Sequence, residues 1–261
     1  MGWSGNDSSC CSTFDSCCVD ECCEDPCCPC GPLSEGSFSL LVKGGVNPTH
    51  WTSRGKVWLT IPAAVPAVIS FNSGPKFKDQ YKLPYIVGGE VAYNLSCQGQ
   101  VFFEANYLHA DGKNHGVVGR LPVGFSFDDY QAWSWYLGGR YYFSRSWICD
   151  RVSPFVGLKA GFINHKKVRY DLTVDGVFVE NDIYYHGKSG VSIGAQIGFD
   201  IQICDNISAI VSFEAVASGG PRANRNNELD PALTGGLTNV NLSEVGTEVS
   251  FPITLGLRYT F

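Results

Sequence analysis

Residues 249–261 read VSFPITLGLRYTF. Every second position gives Val249, Phe251, Ile253, Leu255, Leu257, Tyr259 and Phe261, and the set between them is Ser250, Pro252, Thr254, Gly256, Arg258 and Thr260. An alternation of period two, with one face apolar and the other small or polar, is the spacing of a strand and not of a helix. Strands of soluble proteins usually run to about five or six residues, whereas a tilted bilayer crossing takes about 9–11. The stretch therefore predicts a membrane strand whose apolar face meets lipid.

Seven further stretches read the same way. Apolar positions recur at Phe38, Leu40, Val42 and Val46; at Tyr85, Val87, Val91, Tyr93 and Leu95; and at Val101, Phe103, Ala105 and Tyr107. They recur again at Trp133, Trp135, Leu137, Tyr141 and Phe143, and at Val156, Leu158, Ala160 and Phe162. The last two stretches are Val191 to Ile201 and Ile207 to Ala215. The connections alternate: short ones around Cys97, over 144–152 and at Cys204-Asp205-Asn206, and long ones over about 48–84, 109–131, 163–190 and 217–248. Short turns at one end and long loops at the other suit an outer-membrane barrel, which satisfies its backbone in lipid by closing on itself. The expected fold is all-β: an eight-stranded antiparallel transmembrane β-barrel over 36–261, with short periplasmic turns and long extracellular loops. A soluble lipocalin-like barrel would turn its large apolar residues inward, around a ligand. Here those residues share one face and the charges share the other.

Residues 1–35 form a separate unit. They hold seven of the 25 carboxylates and no Lys or Arg, which leaves 18 acids against 19 bases in the remainder. The net charge of −6 thus belongs to this acidic tail, and no basic footprint for nucleic acid is present. The tail also carries nine of the twelve cysteines: Cys10, Cys11, Cys17, Cys18, Cys22, Cys23, Cys27, Cys28 and Cys30. Its beginning lacks the basic region and apolar core of a secretory signal, so a signal peptide is taken to have been removed. Cys97, Cys149 and Cys204 all fall in or beside short turns, on the membrane side expected of the tail. All twelve are disulfide candidates: tail to turns, tail to neighbouring proteins, or both. Adjacent cysteines rarely bridge each other without strain, so the CC pairs favour separate partners. Internal bridging of a disordered tail, or a metal cluster, are the competing readings. The absence of His from the tail and an oxidising compartment weigh against metal.

The strand count, the loop alternation and the terminal LGLRYTF resemble the small outer-membrane barrels of the OmpA-type and opacity-protein group. By that resemblance, Tyr259 and Phe261 form the C-terminal signal read by the outer-membrane assembly machinery. The DPCCPC run of the tail resembles the cysteine-rich outer-membrane proteins of chlamydiae and their relatives, which implies disulfide links to other Cys-rich envelope proteins.

Each strand places one charge on its inward face: Lys43, Glu90, Glu104, Arg140, Lys159, Asp200, Glu214 and Arg258. An eight-stranded barrel has room inside for side chains and little else. Four cations and four anions so confined are expected to pair, because an isolated buried ion costs several kcal/mol. The preferred reading is a salt-bridged plug; the alternative is a narrow ion path, making the protein a small porin. No HExxH motif is present, the GxSxG string at Gly190–Gly194 runs into the alternating stretch Val191 to Ile201 and forms no strand-to-helix elbow, and no catalytic residue, cofactor or metal ligand is assigned. The five histidines lie in or beside the long loops. The expected function is non-enzymatic and structural, in a Gram-negative outer membrane, with membrane lipid outside and surface loops open to a host-surface ligand. A surface adhesin is the further alternative.

Overall fold

The computed structural model describes residues 33–48, 50–51, 57–61, 67–71, 80–116, 123–143, 151–174, 177–204, 206–219, 222–223, 227–228, 239–242 and 247–261. The nine tail cysteines and Cys149 lie outside the described residues.

Eight strands make the barrel: β1 (Phe38–Val46), β2 (Tyr85–Asn94), β3 (Gly99–Ala110), β4 (Tyr130–Tyr142), β5 (Val152–His165), β6 (Lys188–Cys204), β7 (Ile207–Gly219) and β8 (Ile253–Thr260). Each pairs antiparallel with its sequence neighbours. The ladder between β1 and β8, Ser39↔Thr260 to Val46↔Ile253, closes the cylinder. Closure leaves no edge strand, so every strand has a partner on both sides.

The side-chain alternation decides which surface is which. Val42, Leu137, Leu158, Val191 and Leu255 are among the large apolar residues that stand exposed on the outer wall. Lysines, arginines and carboxylates of the same strands are buried inside. Such an exterior is costly in water and favourable in hydrocarbon. Aromatic residues fringe it at both ends. On the short-turn side, Phe38 packs on Tyr93, Tyr141 on Phe143 and Tyr259 on Phe261. On the long-loop side, Tyr107 lies 4.7 Å from Trp133, centroid to centroid. From Tyr141 to Trp133 along β4, eight residues rise roughly 26 Å, or roughly 20 Å after a tilt of about 40°. That span lies within the apolar band, about 25 Å tall, of an outer-membrane barrel.

Two details differ from the sequence pattern. The final thirteen-residue stretch is not one continuous ladder: Thr247–Ser250 pairs with β7, the strand assignment lapses at Phe251 and Pro252, and β8 follows. Proline lacks an N–H, so the ladder must skip there, yet the in–out alternation passes through unbroken. The first long connection, over about 48–84, contains an antiparallel hairpin, Val57–Ile61 against Ala67–Phe71. Pro62 and Pro66 lie between these strands in the sequence, outside the described residues. Asn239–Leu242 extends that hairpin, and Asn114–Gly116, Val123–Phe127, Val168–Val174 and Val177–His186 form a second loop sheet. The long loops thus prolong the strands beyond the apolar band.

Candidate functional site: the filled interior and its two ends

Inward side chains stack in layers of different chemistry along the barrel axis. At the short-turn end, Leu33 turns under the mouth and packs with Leu41, Tyr142, Phe155 and Ile210, all buried. Its N–H donates to the Cys97 carbonyl at 3.3 Å, so the chain enters the barrel directly beside the Cys97 turn. Cys204 is exposed at the same end, and neither it nor Cys97 is bonded to another described cysteine.

Above this apolar layer come two guanidinium–carboxylate pairs. Arg258 bonds Asp200 and also donates to the Tyr142 hydroxyl at 2.8 Å. Arg140 grips Glu90 through both Nη atoms and donates to Gln100 Oε1 at 3.2 Å. Its guanidinium carbon lies 4.2 Å from the Phe102 ring centre and 5.3 Å from that of Phe155. Each of those rings covers a glycine on the facing strand. Phe102 is paired with Gly138, and Phe155 with Gly198. A Cβ at Gly138 would meet Phe102 Cζ at 2.3 Å, and one at Gly198 would meet Phe155 Cζ at 2.6 Å. The missing side chains make the space in which the aromatic sandwich around Arg140 fits.

The next layer is a ring of alternating charge. Lys43 Nζ lies 2.9 Å from Glu104 Oε2 and 3.0 Å from Glu214 Oε1. Lys159 Nζ lies 2.7 Å from Glu104 Oε1 and 2.5 Å from Glu214 Oε2. Each cation touches both anions and each anion both cations, so the ring is neutral and nearly every charge is spoken for. Both lysines face glycine on each neighbouring strand: Lys43 has Gly88 and Gly256, and Lys159 has Gly138 and Gly194. That gives the long side chains room to reach the axis. Glu90 and Glu104 are direct cross-strand partners, an arrangement that repels. The repulsion is relieved because Glu90 turns to Arg140 while Glu104 turns to the two lysines. Asn106 adds a 2.5 Å donation to Glu104.

The structure therefore brings all eight charges into contact as two pairs and one ring. Beyond the ring is a cavity of about 40 Å³, running from Lys43, Lys159 and Glu214 at its base to Tyr130 and Glu248 at its top. This is room for about three waters. A cluster that the sequence reading did not single out lies at the outer end. The Tyr130 hydroxyl lies 2.7 Å from His165 Nδ1 and donates to Glu248 Oε1 at 3.3 Å, and His165 Nε2 is 3.2 Å from the Gly219 carbonyl. All three side chains are buried. His165 is in phase with the inward positions of β5 but fell within the long connection expected over 163–190, and Glu248 fell at the end of the one expected over 217–248.

A second polar group stands outside, on the long-loop rim. His109 Nε2 is 3.0 Å from Asp111 Oδ1 and 3.8 Å from Asp129 Oδ2. Hydrogen bonds from His109, then Lys82, hold the Asp111 carboxyl below its ordinary pKa. Gly112 lets this turn press against the neighbouring segment, for a Cβ there would sit 1.7 Å from the Phe127 carbonyl oxygen.

A closed antiparallel barrel with an apolar exterior, aromatic fringes and a packed ionic interior defines the class: a small transmembrane β-barrel of the outer-membrane kind. Solved structures of that architecture are similar to this chain. Neisserial surface protein A matches at 12% identity, over 87% of this chain and 100% of its own, with a TM-score of 0.40. OprG of Pseudomonas aeruginosa matches at 13% identity, over 87% and 98%, with a TM-score of 0.40. Ail of Yersinia pestis, solved with the heparin analogue sucrose octasulfate, matches at 12% identity, over 87% and 100%, with a TM-score of 0.37. Likeness at this level concerns architecture and not activity. No family model matches the chain, and no curated protein does.

Proposed function

We propose that this protein is a non-enzymatic structural element of the outer membrane, sealed along its axis, tied into the envelope on the periplasmic side through its cysteine-rich segment. Its long loops are the surface available to ligands outside. The observation that carries the reading is the seat of Leu33 under the short-turn mouth, bonded to the Cys97 turn. Cys30 lies three residues before Leu33, so the tail leaves the barrel within reach of Cys97 and on the same side as exposed Cys204. Dense cysteine in an oxidising compartment forms disulfides. The layered interior supports the sealed lumen, because three successive levels, one apolar and two ionic, fill a barrel of this strand number.

Protein extracted from envelopes without reductant, with free thiols blocked, is mapped by mass spectrometry and run on non-reducing gels. The expected result is peptides joining tail cysteines to Cys97, Cys149, Cys204 or other envelope proteins, with ladders that collapse on reduction. A monomer under both conditions, whose tail cysteines bond only among themselves or remain free, would remove the anchoring role.

A further inference from the structure

The group on the long-loop rim, His109, Asp111 and Asp129, presents one nitrogen and two carboxylate oxygens that all lie within 4.8 Å of one another. We propose that these three side chains form a zinc(II) site at the outer rim of the barrel, with a fourth coordination position open to water or to a donor from a partner. Zinc bonds of about 2.0–2.2 Å to N and O place tetrahedral ligand atoms about 3.4 Å apart. The 3.0 and 3.8 Å separations from His109 Nε2 straddle that value, so small side-chain rotations bring the set onto one ion.

The arrangement around the three ligands distinguishes a built site from a chance surface cluster. Each ligand offers one atom inward and has its other polar atom held from outside. His109 Nδ1 faces the Tyr107 hydroxyl at 3.4 Å, Asp111 Oδ2 accepts from Lys82 Nζ at 3.3 Å, and Asp129 Oδ1 accepts from the Gly112 N–H at 3.1 Å. Outer partners of this kind orient metal ligands and fix the imidazole tautomer. The His109 ring is further braced against Tyr85, with centroids 5.0 Å apart. The charge also suits: two carboxylates, relieved in part by one lysine, leave a deficit that a divalent cation fills. The donor set selects among cations, since calcium takes six to eight oxygens whereas one imidazole with two carboxylates suits zinc.

The test uses the full chain in detergent micelles with every thiol alkylated, so that the twelve cysteines cannot bind metal. Zinc chloride is titrated by calorimetry into the wild type, His109→Ala and Asp129→Asn, with far-UV circular dichroism checking the fold of each. One zinc per chain is expected, weakened at least about tenfold in either variant. Binding should also weaken as the medium is acidified, because protons compete with the metal for its donors. Magnesium chloride should give no matching isotherm. Absence of zinc uptake by the wild type overturns the proposal, as does uptake unchanged in a well-folded variant; if His109→Ala misfolds, Asp129→Asn decides alone.

Discussion

At the scale of the residue, Arg140 makes the sharpest claim on the interior. It is buried, bonded through two nitrogens to Glu90, and held between Phe102 and Phe155. A buried ion pair is a weak source of net stability, but removing one partner leaves an uncompensated charge at a cost of about 3–5 kcal/mol. Arg140→Met should therefore cost that amount in urea unfolding from micelles. The double variant Arg140→Met with Glu90→Leu should recover most of the loss, because no lone charge remains. If the double variant is as unstable as the single one, the cost lies in lost packing against the two phenyl rings. Arg140→Lys should also destabilise, since an ammonium cannot reproduce the forked contact or lie flat between rings. That one inward charge sits on each strand was legible from alternation alone. Which anion takes which cation was not, because pairing depends on strand stagger around a closed cylinder. The direct Glu90↔Glu104 register would even have suggested repulsion.

At the scale of the element, the strands owe their mutual fit to where glycine stands. Lys43 and Lys159 point inward between glycines, and Phe102 and Phe155 each lie over one. Gly138 takes part in both devices, beside Lys159 on β5 and beneath Phe102 on β3. A methyl group there would meet Phe102 Cζ at 2.3 Å and the Leu158 carbonyl oxygen at 2.6 Å. The ring can swing aside, but the neighbouring backbone cannot. Gly138→Ala should cost about 1–3 kcal/mol, the usual toll of overpacking. The loss should be accompanied by a changed near-UV aromatic spectrum as Phe102 is displaced and Arg140 loses its cover. A neutral outcome would show that this seam is looser than drawn. The existence and facing of all eight strands could be read from period two, since lipid outside and charge inside give each strand two unlike faces. The loop strands could not: Val57–Ile61 and Ala67–Phe71 lie within what read as a long connection over 48–84. The alternation was read only from Val249 onward, with the last long connection expected to run to 248, so Glu248 escaped notice although it points inward like Thr254 and Arg258.

At the scale of the whole molecule, the layers act in series along one axis. The apolar layer around Leu33, the two arginine pairs and the four-membered ring lie one above another across the lumen, and a small cavity lies above the ring. A series of closures conducts only when every member opens, so weakening one layer leaves the others shut. Wild-type protein in planar bilayers should accordingly show no large, stable unitary current. The same should hold for Lys43→Met combined with Lys159→Met, which dismantles the ring but leaves Arg140, Arg258 and the Leu33 layer in place. That variant should lose stability, because Glu104 and Glu214 are left without their cations, while its conductance stays at the wild-type level. The two readouts therefore separate a plug from a pore. In a porin the ring would be the selectivity element, and removing its cations would shift current and ion preference together. Steady ohmic current through the wild type, altered in selectivity by the double lysine variant, would make the small-porin reading the right one.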